Sequence, residues 1–242
     1  MYINLNGEPR LRGSLQSSIV LNDPKPDLGN ASVGKLFSLA FLKNFFLRRY
    51  KMNNKGIRFI AEMGIFIALG LVLDLVAKLY SDAIWPMGGS ISVAMLPIFI
   101  MSFRYGLKGG LVSGFAIGVI QILWAGSGIV HWAQVGLDYV IAYSVVGLAG
   151  IYAGKIHRSD RVASKLYYVN TSILIGGALR TVSHILSGYI YFGEYAPEGL
   201  KDLPLAWSII YNLGYMVPSI ILCMIFMNII VKKYNQLIEF VE

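Results

Sequence analysis

From residue 57 onward, apolar blocks long enough to cross a bilayer alternate with short polar joints. A membrane-spanning helix needs roughly 20 predominantly apolar residues. The pattern predicts six helices: Ile57–Leu79, a short Pro-bent Ile91–Phe103, Leu107–Trp124, Gln134–Gly154, Tyr168–Phe192 and Leu205–Val231. The expected fold class is therefore an all-α membrane protein with six transmembrane helices. An even number of spans puts both termini on one side of the bilayer.

Residues 1–51 break this pattern. The stretch MYINLNGEPRLRGSLQSSIVLNDPKPDLGNASVGKL is polar, interrupted by Pro24 and Pro26, and without clear periodicity. We expect a poorly structured N-terminal extension over 1–51 and a six-helix membrane domain over 52–242. Met52, directly before the first apolar block, offers an alternative start. Within the extension, Gly29–Phe37 (GNASVGKLF) approaches the phosphate-binding pattern G-x-x-x-x-G-K-[ST]. Leu36 stands where the magnesium-binding hydroxyl belongs, and no strand precedes it, so the match reads as coincidence. The chain has no means of hydrolysing ATP itself.

Composition supports a polytopic membrane protein. The chain of 242 residues is 56% hydrophobic and 14% charged, and its mean hydropathy is +0.60. Soluble domains carry about 25% charge. The basic excess, 21 − 13 = +8, marks cytoplasmic loops in such a protein and does not indicate nucleic-acid binding. Lys43, Arg48, Arg49, Lys51, Lys55 and Arg58 precede the first helix. Arg104 and Lys108 join helices two and three, and Lys155, Arg158, Arg161 and Lys165 join four and five. Lys232 and Lys233 follow helix six. The other joints, SDAIWPMGGS, AGSGIVHW and GEYAPEGLKDLP, are poor in Lys and Arg. Every joint agrees with cytoplasmic termini. The single Cys223, inside an apolar run, implies neither a disulfide framework nor a metal set.

Polar residues collect toward the outer ends of the later helices. Gln134 and Asp138 are four residues apart and share a helix face, with Tyr139 beside them. Arg180, His184 and Gly188 recur at four-residue steps, and Phe192 continues the face. Trp207, Tyr211 and Asn212 open the last helix. An ionisable residue at membrane depth normally faces a cavity or a partner. The pattern points to one outer pocket holding an acid, an imidazole, an amide and aromatic rings, suited to a small, flat, polar and cationic ligand. Asp138 has a plainer alternative as the ion-pair partner of Arg180. His184 taken singly is compatible with a core histidine. Trp85, Trp124 and Trp132 read as interfacial anchors. Glu62 and Asp74 read as isolated acids of the first helix. No catalytic motif and no metal-ligand spacing is visible, so no enzyme activity, metal or cofactor is expected.

These residues resemble the S components of energy-coupling factor (ECF) vitamin transporters, specifically the thiamine-specific ThiT family, over about residues 57–235. The resemblance is carried by GGSISVAMLPIFIMSFRYGLKGGLVSG (Gly88–Gly114), QVGLDYVIAYSVVGLAG (Gln134–Gly150), RTVSHILSGYIYFGEYAPEGL (Arg180–Leu200) and WSIIYN (Trp207–Asn212). It implies a cell-membrane subunit that captures thiamine near the outer surface. The subunit docks on a module of one membrane coupling protein and two cytoplasmic ATPases. It implies ligand contacts at Asp138, Tyr139, Arg180, His184, Gly188, Phe192, Trp207 and Asn212. Family members carry Glu, Lys, Trp and Tyr at the positions of Asp138, Arg180, Phe192 and Trp207. A loop aromatic of some members falls on glycine here, and Trp85 is the neighbour available to replace it. The small-residue pair that packs on the coupling protein corresponds to Gly64 and Ala68. The loop SDAIWPMGGS takes the place of a lid.

Under this resemblance, Asp138 accepts hydrogen bonds from the aminopyrimidine, Trp207 and Phe192 stack on the rings, and His184 and Asn212 hold polar edges. Three other readings stay open: an S component for another vitamin or a thiamine precursor, an ion-driven secondary transporter working alone, and a membrane-embedded enzyme.

Overall fold

A computed structural model describes residues 55–239 and 241, except 82, 86–87 and 125–128. The N-terminal extension 1–51 and the Gly29–Phe37 segment lie outside the described residues. Every element among the described residues is helical: α1 (Lys55–Ser81), α2 (Leu96–Gln121), the composite α3 (Trp132–His157), α4 (Val162–Tyr191) and α5 (Pro204–Lys233). Helices α1, α3, α4 and α5 are long and apolar enough to cross a membrane.

Helix α2 covers two of the expected blocks. At Gly106 the backbone adopts φ 64°, ψ −156°, a left-handed conformation that glycine reaches without the Cβ penalty of other residues. In a straight helix, residues eight apart are separated by about 12 Å. Here a Cβ on Gly109 would stand 2.6 Å from the carbonyl oxygen of Met101. The chain therefore folds back at Gly106 into two arms, 96–105 and 107–121. The first arm starts at Leu96, not Ile91. Residues 91–93 are non-helical, and Pro97 sits in the first turn, where its missing N–H costs nothing. The expected proline bend is absent. Helix α4 begins six residues earlier than the hydropathy block, because Val162 to Tyr167 continue the helix beyond its apolar part.

The second arm of α2 meets α3 through glycine. Gly106, Gly110, Gly114 and Gly118 recur every fourth residue and form one stripe. A Cβ on Gly118 would lie 2.5 Å from the Tyr139 carbonyl oxygen, and one on Gly114 would lie 2.9 Å from the Tyr143 carbonyl carbon. Gly110 faces Gly147 backbone to backbone, and Gly150 faces Gly106. Such small residues let helix axes approach closely, which drives association where lipid removes the hydrophobic incentive.

Helix α3 is not a regular α-helix. The His131 ring Nδ1 caps it by accepting from the Ala133 N–H at 3.1 Å. A π-helical turn follows at Gly136–Ile141 and a 3-10 stretch at Gly147–Tyr152. Helices α4 and α5 pack antiparallel, with Gly177 against Ile220 and Gly188 against Ser208.

At the end of the bundle where α1 starts, Glu62 is not the isolated acid expected. Its carboxylate accepts from Arg58 Nε (2.9 Å), from Arg104 Nε (2.8 Å) and Nη2 (2.7 Å), and from the Tyr105 hydroxyl (2.9 Å). Arg104 also donates to the Gln236 carbonyl at 3.1 Å, and its own carbonyl accepts from the Val241 N–H at 2.9 Å. These bonds hold the C-terminal segment under the bundle, with Ile238 buried in the core.

Gly114→Leu should lower the melting temperature in detergent sharply, since an overpacked contact costs on the order of 1–3 kcal/mol or more and here the obstacle is backbone. Gly64→Ala, where nothing lies within 4 Å of a Cβ, should leave it unchanged or slightly raised.

Candidate functional site

A cavity of about 510 Å³ lies among α1, Trp85, residues 88–90, the end of α2, α3, α4 and α5. Asp138 stands in its wall, on the π-helical turn. A π turn inserts an extra residue and shifts the hydrogen-bond register, and such turns concentrate at functional sites. Here α4 supplies the outside partners. The Ser183 hydroxyl donates to the Leu137 carbonyl at 2.7 Å.

The Asp138 carboxylate is closely held. Oδ2 accepts from Gln134 Nε2 (2.9 Å) and from the Ser187 hydroxyl (2.8 Å), while Oδ1 pairs with His184 Nδ1 (3.1 Å). Arg180 Nε donates to His184 Nε2 at 3.2 Å. A guanidinium can only donate, so Nε2 must accept and the imidazole proton sits on Nδ1, aimed at Asp138. The order along the wall is therefore Arg180, His184, Asp138. Arg180 is not the direct partner of Asp138. Its guanidinium lies 3.8 Å above the Tyr143 ring in a cation–π contact.

Aromatic rings also line the cavity. Trp207, Tyr211 and Tyr215 follow one another along α5, with centroids 5.3 and 6.3 Å apart in successive pairs. Tyr215 meets Trp85 edge-to-face at 6.1 Å and His184 at 6.0 Å. Trp85, expected either as an interfacial anchor or as a replacement for the loop aromatic, borders the cavity. Trp132, at 80% exposure, stays on the surface. The segment after Trp85 is pinned where the Tyr211 hydroxyl donates to the Gly88 carbonyl at 2.9 Å. Gly88 and Gly89 have φ of 91° and 102°. A Cβ on Gly89 would also collide with the Tyr215 ring at 2.5 Å.

Asn212 is 5% exposed, and its amide is largely committed to the fold. Nδ2 donates to the Ser208 carbonyl at 2.8 Å, and Oδ1 accepts from the Tyr215 hydroxyl. A Cβ on Gly188 would stand 3.1 Å from that Nδ2, so this glycine lets α4 and α5 meet at the cavity wall.

All ten candidate contact residues border the one cavity: Trp85, Gln134, Asp138, Tyr139, Arg180, His184, Gly188, Phe192, Trp207 and Asn212. Gly64 and Ala68 lie elsewhere, on an exposed face of α1. Several lining residues have no counterpart among the expected contacts. Asp74, expected as an isolated acid, borders the same cavity, as do Lys78, Gln121, Tyr143, Ser208 and Tyr215. The Tyr143 hydroxyl donates to Asp74 Oδ1 at 3.1 Å and accepts from Gln121 Nε2 at 2.8 Å. The stripe Trp207, Tyr211, Tyr215 was legible from its four-residue spacing. Asp74 did carry a signal, as an acid within an apolar block, but its partners were not legible, because only packing brings α1 to α3.

The set includes Ser187, His184 and Asp138, but it is not wired for nucleophilic catalysis. The serine hydroxyl is fully buried and bonded to the acid, and the imidazole Nε2 is held by Arg180, so no imidazole base serves an accessible serine. Among the described residues no three His, Cys, Asp or Glu side chains gather as a metal site. What the arrangement can do is bind: a fixed carboxylate, an oriented imidazole and several ring faces converge on one volume.

Comparison with known proteins agrees with a binding and transport role. Residues 60–239 match the model of the thiamine transporter protein family. The thiamine transporter ThiT of Bacillus subtilis is 34% identical over 181 residues, 74% of this chain and 92% of that protein. The ThiT of Lacticaseibacillus paracasei is 26% identical over 153 residues, 61% and 75% of the two chains. The solved structure of ThiT from Listeria monocytogenes superposes with a TM-score of 0.68 at 22% identity, covering 77% of this chain and 100% of that one, a likeness of fold. With apolar helices packed around a cavity that lacks a catalytic arrangement, and a family match across almost all the described residues, the chain belongs to the thiamine transporter protein family, multi-pass transporters of the cell membrane and not enzymes.

Proposed function

We propose that the cavity binds thiamine and that the protein is the thiamine-capturing S component of an ECF importer. The observation that carries the reading is that the Asp138–His184 pair and the rings of Trp85, Trp207 and Tyr211 line one cavity. An acidic hydrogen-bond acceptor suits an aminopyrimidine amine, and ring faces suit a thiazolium cation.

In this reading the two arms of α2 are the second and third of six spans, and both termini are cytoplasmic. The basic residues Arg58, Arg104 and Lys108 then share the cytoplasmic end, and the cavity opens toward the outside under the 85–90 segment as its lid. The exposed Gly64–Ala68 face of α1 docks on the membrane coupling protein, where small residues permit close approach, and two ATPases drive reorientation and release. A second reading has one observation in its favour. Asp74 and Asp138 border the same cavity, and paired intramembrane acids are a mark of ion-coupled transporters. Uptake that persists in cells lacking the ATPases would decide for it.

Trp85 and Trp207 border the cavity, so tryptophan fluorescence of the purified protein should be quenched saturably by thiamine and not by riboflavin or biotin. No response to thiamine from folded protein would sink the assignment. Asp138→Ala should weaken thiamine binding roughly 10- to 100-fold, the range for losing charged hydrogen bonds, with little change in binding a ligand that has no aminopyrimidine. Gly64→Leu should leave thiamine binding in detergent intact yet abolish uptake in cells. Loss of both, or of neither, would exclude Gly64 as a docking position.

A further inference from the structure

The charges around the cavity have a balance that the Asp138–His184 pair does not explain. Two carboxylates, Asp74 and Asp138, and two cations, Lys78 and Arg180, border it. Arg180 is fixed by the His184 bond and by its seat over the Tyr143 ring. A guanidinium held in a cavity wall repels a cationic ligand, and the repulsion is much stronger there than in water. Asp138 offsets one positive charge. Asp74 supplies the other negative charge from α1, 4% exposed and tied through the Tyr143 hydroxyl to the ring that carries Arg180. Lys78 stands one turn along α1, on the same face as Asp74, and is half-buried.

We infer that Asp74 is a specificity-determining residue that makes the cavity accept a positively charged ligand by offsetting the fixed charge of Arg180. The inference rests on the thiamine reading and deepens it. With Asp74 neutral, one acid faces two cations, and a thiazolium enters an electropositive site. Shape and hydrogen bonding to the rest of the ligand stay nearly the same. The consequence is selective: a cationic ligand loses affinity and a neutral ligand of the same shape does not. A residue that only supports the fold would affect both ligands alike.

The test measures binding of thiamine and of deazathiamine, whose central ring carries no charge, to the full chain in detergent. Asp74→Asn should weaken thiamine by about tenfold or more while changing deazathiamine by less than about twofold. Lys78→Gln, at a half-buried position that tolerates substitution, should act in the opposite direction and raise the thiamine-to-deazathiamine affinity ratio about threefold. Asp74→Glu, which keeps the charge, should retain the ratio. An unchanged ratio in Asp74→Asn, or equal losses for both ligands, overturns the inference. Should Asp74→Asn fail to fold, an unchanged ratio in Lys78→Gln overturns it alone. Failure of the unaltered protein to bind thiamine would overturn the thiamine reading itself, and with it this inference; thiamine binding with an insensitive ratio overturns only the inference.

Discussion

Contact of backbone with backbone along the stripe of Gly106, Gly110, Gly114 and Gly118 is the constraint on which the rest of the bundle depends. In lipid, apolar side chains gain little by leaving one apolar surroundings for another, so packing distance decides which helices associate. Four glycines in register bring the second arm of α2 against α3 more closely than any side chain would allow. The contact runs through the middle of α3, from Gly150 past Gly147 and Tyr143 to Tyr139. Its last contact falls on the π-helical turn that carries Asp138. The rigid seam thus places the polar wall of the cavity.

From that wall the interactions spread through side chains of the other helices. α4 answers the π turn with Ser183 and answers the acid with His184 and Ser187. Arg180 then bridges to Tyr143, and Tyr143 to Asp74 on α1 and Gln121 on α2. Buried polar groups in lipid are costly when unmatched, and this connected set gives each charge a defined surrounding. Its members come from four helices, so the cavity and the bundle hold each other in place. The aromatic stripe of α5 completes the enclosure and anchors the glycine turn at Gly88.

The opposite end of the bundle uses a different device. Glu62 gathers Arg58, Arg104 and Tyr105, and Arg104 reaches on to the C-terminal segment. Lys165 Nζ donates to Asn235 Oδ1 at 3.1 Å from the start of α4. These bonds tie α1, the turn of α2, α4 and the end of the chain together. The polar network at this end is separated from the cavity network by an apolar middle layer that includes Phe99, Ile117, Ile173 and Met216. Each end therefore has its own polar network, Glu62 with Arg58, Arg104 and Tyr105 at one and Asp138 with Gln134, His184 and Ser187 at the other.

Hydropathy blocks and charged joints by themselves determined the helical class, the membrane setting and the positions of most helices, because the cost of apolar and charged groups in a bilayer is local and additive along the chain. Four-residue spacing also brought out Gln134 with Asp138, and Arg180 with His184 and Gly188, since neighbours on a helix face are fixed by helix geometry alone. Tertiary structure decided the rest. The reversal at Gly106 depends on a backbone angle, and the π turn under Asp138 depends on partners in α4, so neither has a compositional mark. Asp74 looked solitary because its partners lie 47 and 69 residues away, at Gln121 and Tyr143, one of them reached through the other. That Trp85 meets Tyr215 at the cavity depended on packing too. Periodicity reports which face of a helix a residue occupies; only packing reports which other face it meets.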